Sequence, residues 1–166
     1  YNLSNLITDA YVNLDEGNKF LVSREELSKR SDGLIALSGG IYGDLANAIR
    51  SGKQDLIDAS INYWKKNFPE SFYIEITRTG KDFEDEYISY AREISENHNI
   101  PIVASNDVRF IDKRDYQAHE VRVCINNGSY LKDEKRNSEY NANQYFKTSE
   151  EMEELFSDIP SAIENS

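Results

Sequence analysis

Three short apolar runs alternate with amphipathic helical stretches, and this alternation limits the fold of the chain more than any other feature of its sequence. The runs span residues 34–37, 72–76 and 102–104, and each is followed by glycine or polar residues. Continuous apolar runs of this length are typical of strands buried on both faces of a parallel sheet. The pattern predicts an α/β fold in which βα units place the carboxyl ends of the strands at one rim. Three strands alone fit an open sheet or a closed barrel.

Helical periodicity and capping residues predict the elements between and after these strands. Ser23 and Glu26 have capping-box spacing, as do Thr148 and Glu151. One apolar stripe is formed by Ile57, Ile61, Trp64 and Phe68, and a second by Tyr87, Ala91, Ile94 and His98. The other predicted helices cover about residues 2–11, 23–30, 44–50, 113–126 and 148–156, with a further helix opening at Pro160. Residues 130–143 are predicted to be irregular, and residues 144–146 to form a short strand.

Composition excludes several classes of function. The formal net charge of −11 repels phosphate backbones, so this segment is poorly suited to hold duplex DNA by itself. The single cysteine, Cys124, rules out an internal disulfide and is predicted to be a buried, inert thiol. Two histidines and one cysteine are too few for a structural zinc site. No apolar run approaches the roughly 20 residues that a membrane helix needs.

Polar residues at the predicted strand ends are the candidate site. Arg78 and Thr79 follow the second strand, and Asn106, Asp107 and Arg109 follow the third. Asp107 and Arg109, two residues apart on an extended segment, are expected to point to the same side. The carboxylate has two possible roles, as a ligand of a divalent metal or as the partner of the arginine. Because a cation beside a metal ligand competes with the metal, the residues themselves favour the ion pair.

Two further motifs have a structural and a functional interpretation. Gly39-Gly40 before a helix suits a phosphate cradle, but without a Walker lysine a plain strand-to-helix turn is favoured. His98 falls at a helix end, where the helix dipole favours a structural role. His119 lies within a predicted helix, and an isolated helical histidine is more often packed or hydrogen-bonded than a ligand. It stays a candidate site residue. A Ser-His-Asp triad is compositionally possible, but no nucleophile-elbow motif supports it.

Four segments, in this order, resemble one family: "GLIALSGGIYGDLANAIRSG", "YIEITRTG", "IPIVASNDVRFIDKRDYQAHEVRVCI" and "KTSEEMEELFSDIPSAIENS". They are similar to the PHP domain (named for polymerase and histidinol phosphatase) of bacterial DNA polymerase III alpha subunits, and the "RTG" and "NDVRF" variants are most similar to its proteobacterial branch. The resemblance implies that the chain is an internal fragment of a larger protein. It implies part of a distorted (βα)7 barrel with parallel strands over residues 1–128. Residues 129–166 would be a mostly helical connection toward the polymerase domains.

The resemblance also assigns three metal-ligand positions to this chain. They fall on Thr79, Asp107 and Arg109, and only Asp107 keeps a carboxylate. A hydroxyl and a permanently charged guanidinium stand in the other two places. A degenerate site is therefore expected, with Arg109 as counter-charge to Asp107 and no catalytic residue in this segment. Zinc or manganese would bind only if the site were intact.

For the parent protein, the resemblance implies a cytoplasmic DNA-directed DNA polymerase that uses Mg²⁺ in another domain. This segment would be a scaffold that braces the polymerase and docks the separate proofreading exonuclease subunit. The sliding clamp and DNA would be contacted by the parent chain, and no membrane contact is expected. The competing hypothesis is a working metal-dependent phosphoesterase or 3′–5′ exonuclease.

Overall fold

The computed structural model describes residues 1–13, 20–133 and 138–166. Eight helices and three strands lie within these ranges, in the following order. They are α1 (Asn2–Val12), α2 (Arg24–Lys29), β1 (Ala36–Leu37), α3 (Asp44–Arg50), α4 (Gln54–Asn67), β2 (Phe72–Ile76), α5 (Glu84–His98), β3 (Ile102–Ala104), α6 (Tyr116–Asn127), α7 (Ser149–Leu155) and α8 (Pro160–Glu164). Single 3₁₀ turns at Gly40–Tyr42 and Lys113–Asp115 precede α3 and α6.

The three strands are parallel, in the order β1-β2-β3, as the alternation of strands and helices predicts. Ala36 pairs with Phe72 in the first half of β2, and Ile74 pairs with Ile102 in the second half. β2 and β3 have the predicted bounds. These observations confirm the α/β class and a small parallel sheet.

The first strand departs from the prediction. It has two residues instead of four, and Ile35 and Leu37 next to and within it are 72% and 45% exposed. A strand buried on both faces is therefore the wrong interpretation of residues 34–37. Apolar character alone does not bury a strand, because burial requires neighbours on each face.

The described residues form two compact units, of which the first comprises Tyr1–Ser38 and Gly43–Tyr73. In this unit α3 packs against α4, and their facing side chains are buried. The predicted stripe of α4 is confirmed at Ile57 and Ile61, and Phe68 just after the helix is buried with them. The Trp64 ring stacks on Phe72, with ring centroids 5.3 Å apart and planes 6° from parallel. This stack joins α4 to β2.

The carboxylate of Asp44 ties together the polar edge of this first unit. It accepts hydrogen bonds from Ser60 Oγ at 2.8 Å and from Trp64 Nε1 at 3.0 Å, and it pairs with the Arg24 guanidinium. The Tyr63 hydroxyl in turn donates to the Arg24 carbonyl at 2.8 Å. One side chain at the start of α3 thereby positions α2 and α4.

The second unit comprises Gly39–Tyr42 and Ile74–Ser166. Its core contains the second half of β2, all of β3, one face of α5 and the region around α8. The stripe predicted for α5 is confirmed, since Tyr87, Ala91 and Ile94 are buried. Phe156 and Ala162 from the C-terminal helices are fully buried in the same unit.

The side of β3 that faces away from β2 is closed by side chains of the last residues. Asn165 Nδ2 donates to the Ile102 carbonyl at 2.8 Å, and Ser166 Oγ donates to the Ala104 carbonyl at 2.7 Å. Alternate carbonyls of a strand point to the same side, so these two belong to the edge that β2 does not use. The predicted division between residues 1–128 and 129–166 stays a prediction.

The remaining predictions are mostly confirmed. Ser23 caps α2, and the capping box of Thr148 and Glu151 opens α7. Cys124 is buried. The short strand predicted at residues 144–146 is wrong, because only an isolated bridge between Phe110 and Tyr145 forms there. Part of the segment predicted to be irregular, residues 134–137, lies outside the described residues.

None of the helices in the described ranges combines the length and the apolar character required to cross a membrane.

The contacts of Asp44 generate a stability prediction. Asp44→Asn removes the charge that Arg24, Ser60 and Trp64 share, and we expect a loss of about 1–2 kcal/mol of unfolding free energy. Urea unfolding followed by fluorescence measures this directly, since Trp64 is the one tryptophan of the sequence. Asp58→Asn is the matched control, because Asp58 is exposed and accepts one hydrogen bond, from Gln54. Equal destabilisation by both substitutions would contradict this role of Asp44.

Candidate functional site

A cavity of about 250 Å³ opens where β2 and β3 end. The described residues around it belong to the second unit and come from three segments: residues 39–42, residues 75–84 and residues 105–109. The carboxyl ends of parallel strands meet at one edge, and this is the edge at which the sequence places its candidate residues. Thr79, Asn106, Asp107 and Arg109 all line the cavity, as predicted.

The Asp107 carboxylate is surrounded by nitrogen donors. Arg109 Nη2 lies 2.7 Å from Oδ1, which is the predicted ion pair. Gln144 Nε2 lies 2.6 Å from Oδ2, and Lys81 Nζ lies 3.2 Å from the same oxygen. Each carboxylate oxygen therefore faces at least one N–H group, and two of the three donor groups are cations.

Lys81 is a second cation of this site, and no sequence pattern indicated it. Its ammonium donates to the Tyr42 hydroxyl at 2.8 Å and lies 5.0 Å from the Tyr42 ring centre. Burial alone would lower the pKa of Lys81, but the hydrogen bonds to Tyr42 and Asp107 outweigh it, and the pKa is raised. The ammonium consequently stays charged at neutral pH.

Thr79 is fully buried and its hydroxyl is committed to Glu84. The hydroxyl donates to Glu84 Oε1 at 2.7 Å, and Thr77 Oγ1 donates to the same oxygen at 3.0 Å. The backbone N–H groups of Thr79, Gly80 and Lys81 donate to Glu84 Oε2 at 2.7, 2.8 and 3.2 Å. Five donors thus satisfy one carboxylate that is only 4% exposed. Such an arrangement stabilises a buried charge without a metal ion.

The turn that carries Thr79 also depends on backbone conformation. Gly80 has φ of +83°, a left-handed conformation that residues with a side chain rarely adopt. A Cβ atom there would lie 3.3 Å from Asn143 Nδ2, which donates to the Thr79 carbonyl. Gly39 and Gly40 also have positive φ values and form the predicted strand-to-helix turn.

Asn106 lines the same cavity and holds the neighbouring loop. Its Nδ2 donates to the Tyr145 carbonyl at 2.8 Å, and its Oδ1 accepts from Lys147 Nζ at 3.3 Å. Gln144, which is fully buried, adds a second link, since its backbone carbonyl accepts a hydrogen bond from the backbone N–H of Arg109 at 2.8 Å. The loop at residues 144–147 therefore fixes the segment that carries Asp107.

Two predicted site residues point elsewhere. Arg78 lies outside the cavity lining and forms a two-pronged ion pair with Asp158, at 2.6 and 2.9 Å. It also donates to the Leu155 carbonyl at 2.5 Å and lies 5.1 Å from the Phe156 ring centre. Arg78 therefore anchors the turn between α7 and α8. His119 lies on α6 and lines a separate cavity, to which Arg109 also contributes.

These contacts do not fit a divalent metal at Asp107. A metal ion there would have to displace two cationic side chains and the Gln144 amide from the carboxylate. The Thr79 hydroxyl already donates a hydrogen bond to Glu84, and Arg109 has no lone pair to offer. In the part of the chain that the structure describes, no group of three or more His, Cys, Asp or Glu side chains is arranged to hold a metal ion.

Lys81, Glu84 and Gln144 are the residues of this site that sequence reasoning missed. Glu84 gave a weak signal, as an acidic residue in the first turn of a helix. Lys81 and Gln144 gave none, because they lie 26 and 37 residues from Asp107 along the chain. Only the folded chain brings them together.

Comparison with known proteins identifies a matching family model and several relatives of the chain. A PHP domain family model matches residues 1–79. The chain is 41% identical over 164 residues to the DNA polymerase III subunit alpha of Escherichia coli (strain K12). It is 38% identical over 164 residues to the subunit alpha of Pseudomonas aeruginosa and 37% identical over 165 residues to that of Vibrio cholerae.

In each of these alignments, 99% of this chain is covered, but the chain spans only 14% of the length of the relative. The match to the PHP family model ends at Thr79, so Asp107 and Arg109 lie beyond it. Residues 1–79 match the PHP domain family model, and nearly the whole chain matches a segment of DNA polymerase III alpha subunits.

Proposed function

We propose that this chain is a non-catalytic segment of a DNA polymerase III alpha subunit, the DNA-directed DNA polymerase of chromosome replication. The observation that carries the proposal is the 41% identity across 99% of the chain. The segment makes up 14% of such a subunit. The family resemblance implies that the Mg²⁺-dependent nucleotidyl-transfer site belongs to the remainder of the parent protein. The parent protein would act in the cytoplasm.

Within the parent, the segment is a PHP scaffold whose metal site is degenerate. Support comes from the three nitrogen donors around Asp107 and from the commitment of Thr79 to Glu84. Arg109 and Lys81 supply the positive charge that metal ions provide in metal-binding relatives. The rim then keeps its shape without zinc or manganese.

A scaffold of this kind is better suited to bind another protein than to bind DNA. The net charge of −11 opposes binding to a phosphate backbone, so DNA and the sliding clamp are contacted through other parts of the parent. The partner of this segment is the separate proofreading exonuclease subunit. The resemblance of the chain to the proteobacterial branch supports that choice.

The alternative is a metal-dependent phosphoesterase or 3′–5′ exonuclease. One observation favours it: the carboxylates of Glu75, Glu84 and Asp107 all line the cavity. Each, however, already accepts hydrogen bonds, from Ser105 Oγ at 2.6 Å in the case of Glu75. Carboxylates in this state are poorly placed to bind a metal ion.

A primer with a mismatched 3′ end distinguishes the two hypotheses. We expect the purified full-length protein to extend a matched primer with Mg²⁺ and nucleotides, and to leave the mismatch in place when Mg²⁺, Mn²⁺ or Zn²⁺ is supplied. Adding the exonuclease subunit should restore excision and give a complex that co-elutes in size-exclusion chromatography. Excision by the protein alone that disappears in Asp107→Asn would support the alternative.

Metal content tests the degenerate site directly. The full-length protein, purified without chelators and analysed by inductively coupled plasma mass spectrometry, should contain well under one zinc or manganese per chain. Asp107→Asn should leave that content unchanged, because the carboxylate pairs with Arg109 and Lys81. A stoichiometric metal that is lost in Asp107→Asn would contradict the proposal.

The five donors to Glu84 generate a second test of the metal-free rim. Glu84→Gln removes the charge and turns an acceptor into a donor among N–H groups, so we expect a loss of about 2–4 kcal/mol of unfolding free energy. Glu86→Gln is the control, since Glu86 is an exposed acid of the same helical turn. The loss should be the same with EDTA or with added zinc. Recovery of stability on adding zinc would argue for a metal-supported rim.

A further inference from the structure

A second cavity in the same unit has a different chemical character. It has a volume of about 420 Å³ and lies against the second half of α6. Its lining includes Arg109, His119, Arg122, Asn126, Glu139 and Tyr140. Among the described residues, Arg109 is the one that lines both this cavity and the strand-end site.

His119 lines this cavity and has an unused hydrogen-bonding group. The side chain is 7% exposed, and its ring packs 5.4 Å from Phe110 and edge-on to Tyr140 at 4.8 Å. Arg122 Nη2 lies 3.2 Å from Nδ1. A guanidinium can only donate, so Nδ1 is the acceptor and the ring proton is on Nε2. Among the described residues, this buried Nε2–H group has no acceptor.

The ring is neutral near pH 7. Burial, followed by the positive charge of Arg122, lowers the pKa of His119 below its ordinary value. A buried polar group without a partner is rare in folded proteins because it forfeits its hydrogen bond to water. The Nε2–H group is therefore available to an acceptor atom of a bound molecule.

The charges around the cavity favour an anion. In a chain with a net charge of −11, the described residues of this lining include two guanidinium groups and one carboxylate, Glu139. Arg109 shares its charge with Asp107. The described residues place no carboxylate within ion-pair distance of Arg122, and the side chain of Arg122 forms a hydrogen bond with His119.

We propose that this cavity binds a phosphate group, with Arg122 as the principal charged donor and His119 Nε2–H and Arg109 as supporting donors. Guanidinium groups match phosphate oxygens in geometry and charge, and they form strong charge-assisted hydrogen bonds with them. The site shares Arg109 with the degenerate metal site, but its other donors are distinct from it, and phosphate binding goes beyond the proposed scaffold role. Its volume exceeds the space needed by a free phosphate ion, so a small organic phosphate such as a mononucleotide also fits.

Calorimetric titration of the full-length protein tests the site. Inorganic phosphate and deoxyadenosine monophosphate are titrated separately into the natural protein and its variants. We expect Arg122→Gln to weaken phosphate binding about tenfold or more, and Arg122→Lys to weaken it less. The matched control is Arg114→Gln, because Arg114 is an exposed arginine that pairs with Asp112 outside the cavity. It should bind like the natural protein.

A second variant guards against an indirect effect. Asn126 is exposed at the cavity, and Asn126→Asp adds a negative charge there without disturbing the core, so it should also weaken phosphate binding about tenfold. Unchanged melting temperatures would show that both variants are folded. If the nucleotide binds more tightly than inorganic phosphate and this binding depends on Arg122, the ligand is an organic phosphate. If the two bind equally, the ligand is a free phosphate ion. The proposal is overturned if the natural protein binds neither ligand, if both cavity variants bind normally, or if Arg114→Gln loses as much affinity.

Discussion

The carboxylate of Glu84 holds the chain segment between β2 and α5, and much of the strand-end site depends on it. Three consecutive backbone N–H groups and two threonine hydroxyls converge on this side chain. A buried charge is tolerated only when its hydrogen-bonding capacity is satisfied, so the segment has little freedom to take another path. Lys81 is part of this segment, and the fixed backbone places its side chain so that the ammonium reaches Asp107.

A rim held by side-chain cations differs physically from one held by metal ions. Arg109 and Lys81 are attached to the chain, so their charges are present whenever the chain is folded, whatever the metal supply. They also satisfy Asp107 through directional N–H bonds, which fix its orientation as metal coordination would. Side-chain cations can hold the shape of a rim, but they do not polarise water or a phosphoester as a metal ion does. The proposed structural role agrees with a rim of this kind.

Much of this molecule follows from local sequence. The period of apolar residues predicts α4, α5, β2 and β3, because each is set by residues that are neighbours along the chain. The pairing of Asp107 with Arg109 follows from the two-residue spacing of an extended segment. Local sequence does not predict the features that depend on tertiary contacts. β1 is short and exposed although its residues are apolar, and Lys81 and Gln144 reach Asp107 from distant segments.

The side-chain bonds from Asn165 and Ser166 to β3 have a consequence for solubility. An open strand edge with free carbonyl groups is a template on which another polypeptide can add a strand, and natural proteins cover or blunt such edges. Here two short polar side chains beside α8 occupy the acceptors at Ile102 and Ala104. Without these side chains, both carbonyl groups would be open to an added strand, which favours edge-to-edge assembly. The residues after α8 therefore cover acceptors that favour aggregation when they are exposed.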